Sequence, residues 1–137
     1  MKLNHLDLQV ADVPALAQFL VDHYELQPRT RLDSPKLAIL TDGHGFTLVI
    51  QRRRHDGEVY PGGRSESAPL HVGPDGAHIG FLVDDPAEVY ARRARIAAAG
   101  VAISEVDVNA RGTTCYCRAP GDILIELGCR IGTRVAV

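Results

Sequence analysis

The sequence has few of the residues that mark several common classes of protein. It contains no tryptophan, four tyrosines and three phenylalanines, so an aromatic platform for stacking nucleic-acid bases is not expected. Fifteen basic residues against seventeen acidic ones give a formal net charge of −2, which argues against a nucleic-acid partner. Its apolar runs are short, far below the ~20 residues that cross a bilayer. We therefore expect neither a nucleic-acid nor a membrane partner.

Cysteine is also scarce. The three cysteines are an odd number and form no C-x-x-C motif, so they cannot all pair within the chain: Cys115, Cys117 and Cys129. The first residues lack the basic segment and apolar stretch of a secretion signal. These features predict reduced thiols and a cytoplasmic location. Cys115 and Cys117 share one face of a predicted strand, where we expect them to act as small packing residues rather than zinc ligands.

The composition is that of an ordinary globular protein, with 45% hydrophobic and 23% charged residues in 137. That length predicts a single domain over residues 1–137 with a core that needs no disulfides.

The first part of the chain predicts a strand, a helix and further strands. Residues 3–10 alternate apolar and polar side chains, which is typical of a half-buried strand. Asp12 can cap a helix and Pro14 suits its first turn, so a helix is expected from Asp12 to about Tyr24. Three further strands are expected, the first of them weakly defined: 27–33, 36–41 and 46–51.

The same order of elements is predicted again after residue 76. Residues 77–83 alternate like the first strand, and Asp85 with Pro86 predicts the start of a second helix, which Gly100 ends. Three strands are then expected: 101–106, 113–118 and 122–127.

Two short stretches match between the halves in the same order. NHLDLQVAD (4–12) aligns with AHIGFLVDD (77–85), and TLVIQR (47–52) aligns with ILIELG (123–128). An internal duplication explains both matches. The sequence thus predicts an α+β fold of two tandem βαβββ modules, with these parts: module 1, 1–52; a connector, 53–76; module 2, 77–130; and a C-terminal tail, 131–137.

The alternation also predicts which polar side chains face away from the helices. Four of them occupy matching ends of the two modules: His5, Gln51, His78 and Glu126. A single histidine on a strand is more often a surface residue than a ligand, but the joint placement favours a site. Two imidazoles, a carboxylate and an amide oxygen suit a divalent ion, whether iron, manganese, nickel, cobalt or zinc. A position left open on such an ion supports Lewis-acid chemistry.

With these motifs the chain resembles the vicinal oxygen chelate superfamily, the glyoxalase/bleomycin resistance/dioxygenase group. The matching segments are NHLDLQVAD, VIQ, HIGFLVDD and GTT…PGDILIEL, and they cover nearly the whole chain apart from the connector. The resemblance implies paired βαβββ modules that form a U-shaped, metal-binding cavity.

Within the superfamily the sequence is most similar to small bacterial glyoxalase I enzymes. That resemblance implies a divalent metal held by His5, Gln51, His78 and Glu126. It also implies that Glu126 is the base in a lyase or isomerase reaction, which passes through a metal-chelated enediolate of a small carbonyl substrate. A homodimer is common in the family. Three further residues are candidates for substrate binding: Asp7, Gln9 and Tyr116.

Two positions depart from the glyoxalase pattern. Gln51 stands where those enzymes have a glutamate, and the resulting set resembles that of methylmalonyl-CoA epimerases, which also remove a proton next to a carbonyl. Gln9 stands near the place of an arginine that binds glutathione, so glutathione is not predicted as a co-substrate.

Two other functions remain open. His5, His78 and Glu126 alone form the ligand set of an Fe(II) dioxygenase, for which Tyr116 or a connector histidine would supply the second acid–base group. A non-catalytic protein of the bleomycin-resistance type would bind a drug in the same cavity.

Overall fold

The computed structural model describes residues 1–53, 72–73 and 76–132. The chain divides into two compact units, Met1–Tyr60 and Pro61–Val137. Most of the predicted connector and the tail beyond residue 132 lie outside the described residues. The assignment of both units to one domain stays a prediction.

The first unit is a four-stranded sheet with one helix. In the sheet the strand order is β1-β4-β3-β2, with β1 parallel to β4 and the other neighbours antiparallel. Its elements are β1 His5–Val10, α1 Val13–Tyr24, β2 Gln27–Pro28, β3 Leu37–Thr41 and β4 Thr47–Arg52. The weakly defined strand expected over 27–33 is thus only two residues long.

The alternation of β1 places its apolar side chains against α1. Leu8 and Val10 are buried, as is Leu16 on the helix, while the intervening polar residues of β1 are exposed. The Asp12 carboxylate accepts a hydrogen bond from the Ala15 N–H over 3.0 Å and so caps α1, as predicted. The predicted faces of β1 are confirmed.

The second unit repeats this topology. Its strand order is β5-β8-β7-β6, with β5 parallel to β8. Its elements are β5 Ile79–Leu82, α2 Pro86–Ala98, β6 Asp107–Asn109, β7 Gly112–Ala119 and β8 Ile123–Arg130. The structure therefore confirms an α+β fold of two tandem modules. No helix in the described part of the chain is both long and apolar enough to span a membrane.

The strand predicted over 101–106 is wrong. The segment makes a single bridge, between Ile103 and Cys117, and the strand at this edge is β6, at 107–109. The Ser104 hydroxyl accepts the Tyr116 N–H at 3.0 Å while the Ser104 N–H donates to the Tyr116 carbonyl at 2.8 Å. A side chain that takes a backbone partner in this way interrupts a regular strand ladder.

The paired strands β7 and β8 direct their side chains alternately to the two faces of their sheet. Cys115, Cys117, Ile125 and Leu127 are buried on one face, the side on which Arg93 of α2 lies close enough to affect the Cys115 thiol. Side chains on the other face of β8 are also buried, and one of them is the carboxylate of Glu126.

The burial of Cys115 leads to a testable expectation. Burial, followed by the proximity of Cys117, raises the pKa of the Cys115 thiol from 9.0 to about 11. The reactive thiolate is then about 100-fold scarcer at pH 8 than for an ordinary cysteine. We expect iodoacetamide to label Cys115 at least ~100-fold more slowly in the native protein than in urea, as measured by peptide mass spectrometry. Equal labelling rates would contradict this burial.

Candidate functional site

A pocket opens on the second face of the β5–β8 sheet. Its volume is about 510 Å³, within the range of small-molecule sites. Polar and charged groups predominate in its lining: Val72, Gly73, His78, Ser104, Glu105, Asp107, Asn109, Arg111, Thr114, Tyr116, Glu126 and Arg130.

The carboxylate of Glu126 lies at the bottom of this pocket. Glu126 is in the middle of β8 and only 3% exposed. It is in register with Tyr116 of β7 on one side and Gly80 of β5 on the other. Gly80 has no side chain, and a Cβ there would meet no atom of the described residues within 4 Å. As far as the described residues go, the side of Glu126 towards β5 is therefore open enough for a ligand.

His78, just before β5, reaches the same carboxylate. Its Nε2 lies 3.0 Å from Glu126 Oε2, and its Nδ1 lies 3.0 Å from the Gly76 carbonyl oxygen. A carbonyl oxygen only accepts hydrogen bonds, so Nδ1 carries a proton, while Nε2 faces the Glu126 carboxylate. The Tyr116 ring meets the imidazole edge-on at 5.6 Å between centroids, which helps to fix the plane of the imidazole.

The other oxygen of Glu126 is held by Arg130. Arg130 Nη2 donates to Glu126 Oε1 from four residues further along β8. Gly128 lies between them, and a Cβ there would lie 3.2 Å from that oxygen and 3.0 Å from Thr114 Cγ2. The glycine thus leaves room for the carboxylate and its arginine. A buried carboxylate needs such partners, because burial alone disfavours its charge.

Tyr116 completes the group around Glu126. Burial, then the charge of the Glu126 carboxylate and a hydrogen bond to it, raise the pKa of the phenol, while Arg130 and Arg111 oppose the rise. The phenol therefore stays protonated at neutral pH and can donate to an oxygen in the pocket.

Two donors of this pocket, an imidazole and a carboxylate, are of the types that bind divalent metals. An imidazole whose Nδ1 donates to a carbonyl can bind a metal through Nε2, which is the usual arrangement of a metal-binding histidine. His78 Nε2 and Glu126 Oε2 are 3.0 Å apart, at hydrogen-bond distance, and two adjacent ligands each ~2.1 Å from one octahedrally bound ion also lie about 3 Å apart. Within either unit, however, the described residues include no group of three or more His, Cys, Asp or Glu side chains placed to hold a metal.

The remaining predicted site residues lie on one face of the first sheet. Gln9 and Gln51 are register partners on β1 and β4, and Gln51 Nε2 donates to Asp7 Oδ2 over 2.5 Å. This hydrogen bond uses the amide nitrogen of Gln51, and no residue that the structure describes is seen to bond its amide oxygen, a neutral group that can bind a metal. His5 is exposed, and its Nδ1 lies 3.3 Å from Asn4 Oδ1. The structure thus groups Asp7 with Gln51 in the first unit, and His78 with Glu126 and Tyr116 in the second.

Sequence reasoning missed two arginines of the pocket. Arg130 lies four residues after Glu126, and residues an even number apart on a strand point to the same face. The pattern E-x-G-x-R along β8 could therefore have placed Arg130 beside Glu126. Arg111 precedes β7 in a turn, where no periodicity predicts the direction of a side chain.

Comparisons with known proteins agree with this fold. A solved structure described as a possible glyoxalase from Bacillus cereus is 26% identical, with a TM-score of 0.75 over 94% of this chain and 99% of that one. A lactoylglutathione lyase from Agrobacterium tumefaciens (20% identity, TM-score 0.68, 93% and 92% covered) and the oxidase ChaP-H2 (21%, 0.71, 97% and 96%) share the fold.

A comparison with curated proteins gives no match. The model of one protein family, however, matches residues 2–127, almost the whole chain. The chain therefore belongs to the Glyoxalase/Bleomycin resistance protein/Dioxygenase superfamily.

Proposed function

We propose that this protein is a metal-dependent lyase or isomerase that moves a proton next to the carbonyl of a small substrate. The observation that carries the proposal is the His78–Glu126 pair, with two donor atoms 3.0 Å apart in an open pocket. The membership of a superfamily that includes glyoxalases supports it.

Three side chains of the pocket have a part in this chemistry: Glu126, Arg130 and Tyr116. A divalent metal bound there would polarise the substrate carbonyl and stabilise negative charge on its oxygen. Glu126 is the group that accepts the proton, because it is the carboxylate at the bottom of the pocket and Arg130 fixes its orientation. Tyr116 carries a protonated hydroxyl beside it and can donate to a substrate oxygen.

The other site residues predicted from the sequence belong to the same proposal. His5 and Gln51 complete the metal ligands, and Asp7 and Gln9 contact the substrate. Their support is the sequence motif, together with the exposure of His5 and the hydrogen bond from the Gln51 amide nitrogen to Asp7. A homodimer in the cytoplasm that acts on a small molecule is part of the proposal as well.

Proton exchange in D₂O tests the reaction type without knowledge of the natural substrate. We would incubate the protein with hydroxyacetone, glycolaldehyde and the hemithioacetal of methylglyoxal, adding nickel, cobalt, zinc or manganese, and follow the signal of the proton next to the carbonyl by ¹H NMR. We expect the protein to accelerate exchange beyond a metal-only control, under air and argon alike. Oxygen consumption with Fe(II) in place of exchange would instead indicate a dioxygenase.

A further inference from the structure

We propose that Arg111 and Arg130 form an anion subsite in the pocket, and that the substrate is a small carbonyl compound with a carboxylate next to its carbonyl. Only the placement of the carbonyl at His78 and Glu126 rests on the proposed function. The anion subsite itself rests on the two arginines and the charges around them.

The backbone fixes the two arginines beside each other. Arg130 is in register with Gly112, and the Ile131 N–H donates to the Arg111 carbonyl at 3.2 Å. Gly112 has a φ of +146°, and a Cβ there would collide with the Cys129 carbonyl oxygen. Glycine therefore permits the close approach of the two strand ends, from which both arginines line the same pocket.

Among the described residues, the charge balance around Tyr116 is positive. Three of their charged groups act on its hydroxyl: the Glu126 carboxylate and the guanidinium groups of Arg111 and Arg130. Arg130 is paired with Glu126. No carboxylate among the residues that the structure describes forms an ion pair with Arg111. Among the described residues, Arg111 is therefore the surplus cation at this end of the pocket.

Two acidic residues elsewhere in the pocket have polar partners other than the Arg111 guanidinium. Glu105 forms an ion pair with Arg93 at 2.6 Å. Asp107, on the exposed edge strand β6, accepts a hydrogen bond from the Asn109 amide at 2.6 Å. Neither group is among the charges that act on the Tyr116 hydroxyl. A ligand anion beside Tyr116 would thus meet guanidinium groups.

The chemistry of guanidinium favours a carboxylate there. Its planar N–H groups match the two oxygens of a carboxylate. Arg130 uses Nη2 for Glu126 and has further donors in its side chain. Since Arg130 contacts Glu126 directly, an anion bound by the two arginines would lie close to the carboxylate that accepts the proton. Because Arg130 contacts Glu126, a carboxylate attached directly to the carbonyl, as in a 2-oxo acid, suits this arrangement.

Binding of pyruvate to the metal-free protein tests the subsite. Pyruvate, its neutral methyl ester and inorganic phosphate would each be titrated into ¹⁵N-labelled protein and followed by NMR. We expect pyruvate to bind at least ~10-fold more tightly than methyl pyruvate, and Arg111→Ala to weaken pyruvate binding by at least ~10-fold. Arg111→Lys should restore part of the affinity. Arg95→Ala, at an exposed site on α2, removes an equal charge and should change nothing.

The outcomes separate this inference from the proposed function. Equal binding of pyruvate and its ester, or undiminished binding by Arg111→Ala, would overturn the subsite even if the protein binds metal. Tighter binding of phosphate than of pyruvate would overturn the choice of a carboxylate. Arg111-dependent pyruvate binding in a protein that takes up no metal would leave the subsite standing and refute the metal-dependent reaction alone.

Discussion

Glu126→Gln is expected to slow protein-dependent proton exchange by roughly 10²–10⁴-fold, the usual contribution of a positioned general base. The amide has nearly the shape of the carboxylate but cannot accept a proton. Because Glu126 is 3% exposed, solvent cannot readily replace it. Exchange rates of the variant and wild type, measured by ¹H NMR with the same metal and substrate, check the prediction.

Asp107→Asn is the matched control for this substitution. It removes an equal charge from the same pocket, but from the exposed edge strand β6. We expect its exchange rate to stay within about threefold of wild type, in line with the small effects of exposed surface changes. If Glu126→Gln exchanged as fast as Asp107→Asn, Glu126 would not be the base.

Gly112→Ala is expected to lower the free energy of unfolding by about 3 kcal/mol, a fall of roughly 10 °C in Tm. Two effects combine at this residue. Its φ of +146° is unfavourable for any residue with a side chain, and the new Cβ would collide with the Cys129 carbonyl oxygen and lie 3.0 Å from Arg130 Cα. Both obstacles are backbone atoms, which cannot rotate away. Urea unfolding followed by circular dichroism measures the change.

Gly80→Ala tests whether any added methyl group has this effect. Gly80 is also a strand glycine, but a Cβ there meets no atom within 4 Å in the part of the chain that the structure describes, and its backbone has no positive φ. Alanine is favoured over glycine in a strand by roughly 0.5–1 kcal/mol, so this variant should be as stable as wild type or slightly more so. Equal losses in the two variants would show that Gly112 has no special role.

Much of the fold could be predicted because local patterns agree with the final packing. The alternation in β1 follows the burial of Leu8 and Val10, and the aspartate caps with their early prolines mark both helices. The segment 101–106 could not be predicted in this way. It carries apolar residues suited to a strand, but the Ser104 side chain takes a backbone partner on β7, a tertiary contact that periodicity does not encode.

The candidate site was predictable in part for the same reason. The alternation of side chains along the strands predicts that His78 and Glu126 share a face, and in the structure His78 Nε2 lies 3.0 Å from Glu126 Oε2. The alternation did not reveal that Glu126 is buried, because the burial of a side chain depends on the neighbouring strands. Nor did it reveal Arg111, whose position depends on the turn before Gly112 and on the unusual φ of that glycine.

Metal content is the measurement that tests the central claim most directly. Wild type, His78→Ala, His5→Ala and His44→Ala would be purified without chelator, loaded with nickel, cobalt, zinc or manganese, and analysed for bound metal. His44 is an exposed residue of the turn before β4 and serves as the control. We predict about one ion per chain in wild type and His44→Ala, and at least ~100-fold weaker binding in His78→Ala and His5→Ala. No uptake by wild type, or undiminished uptake by His78→Ala, would contradict the account.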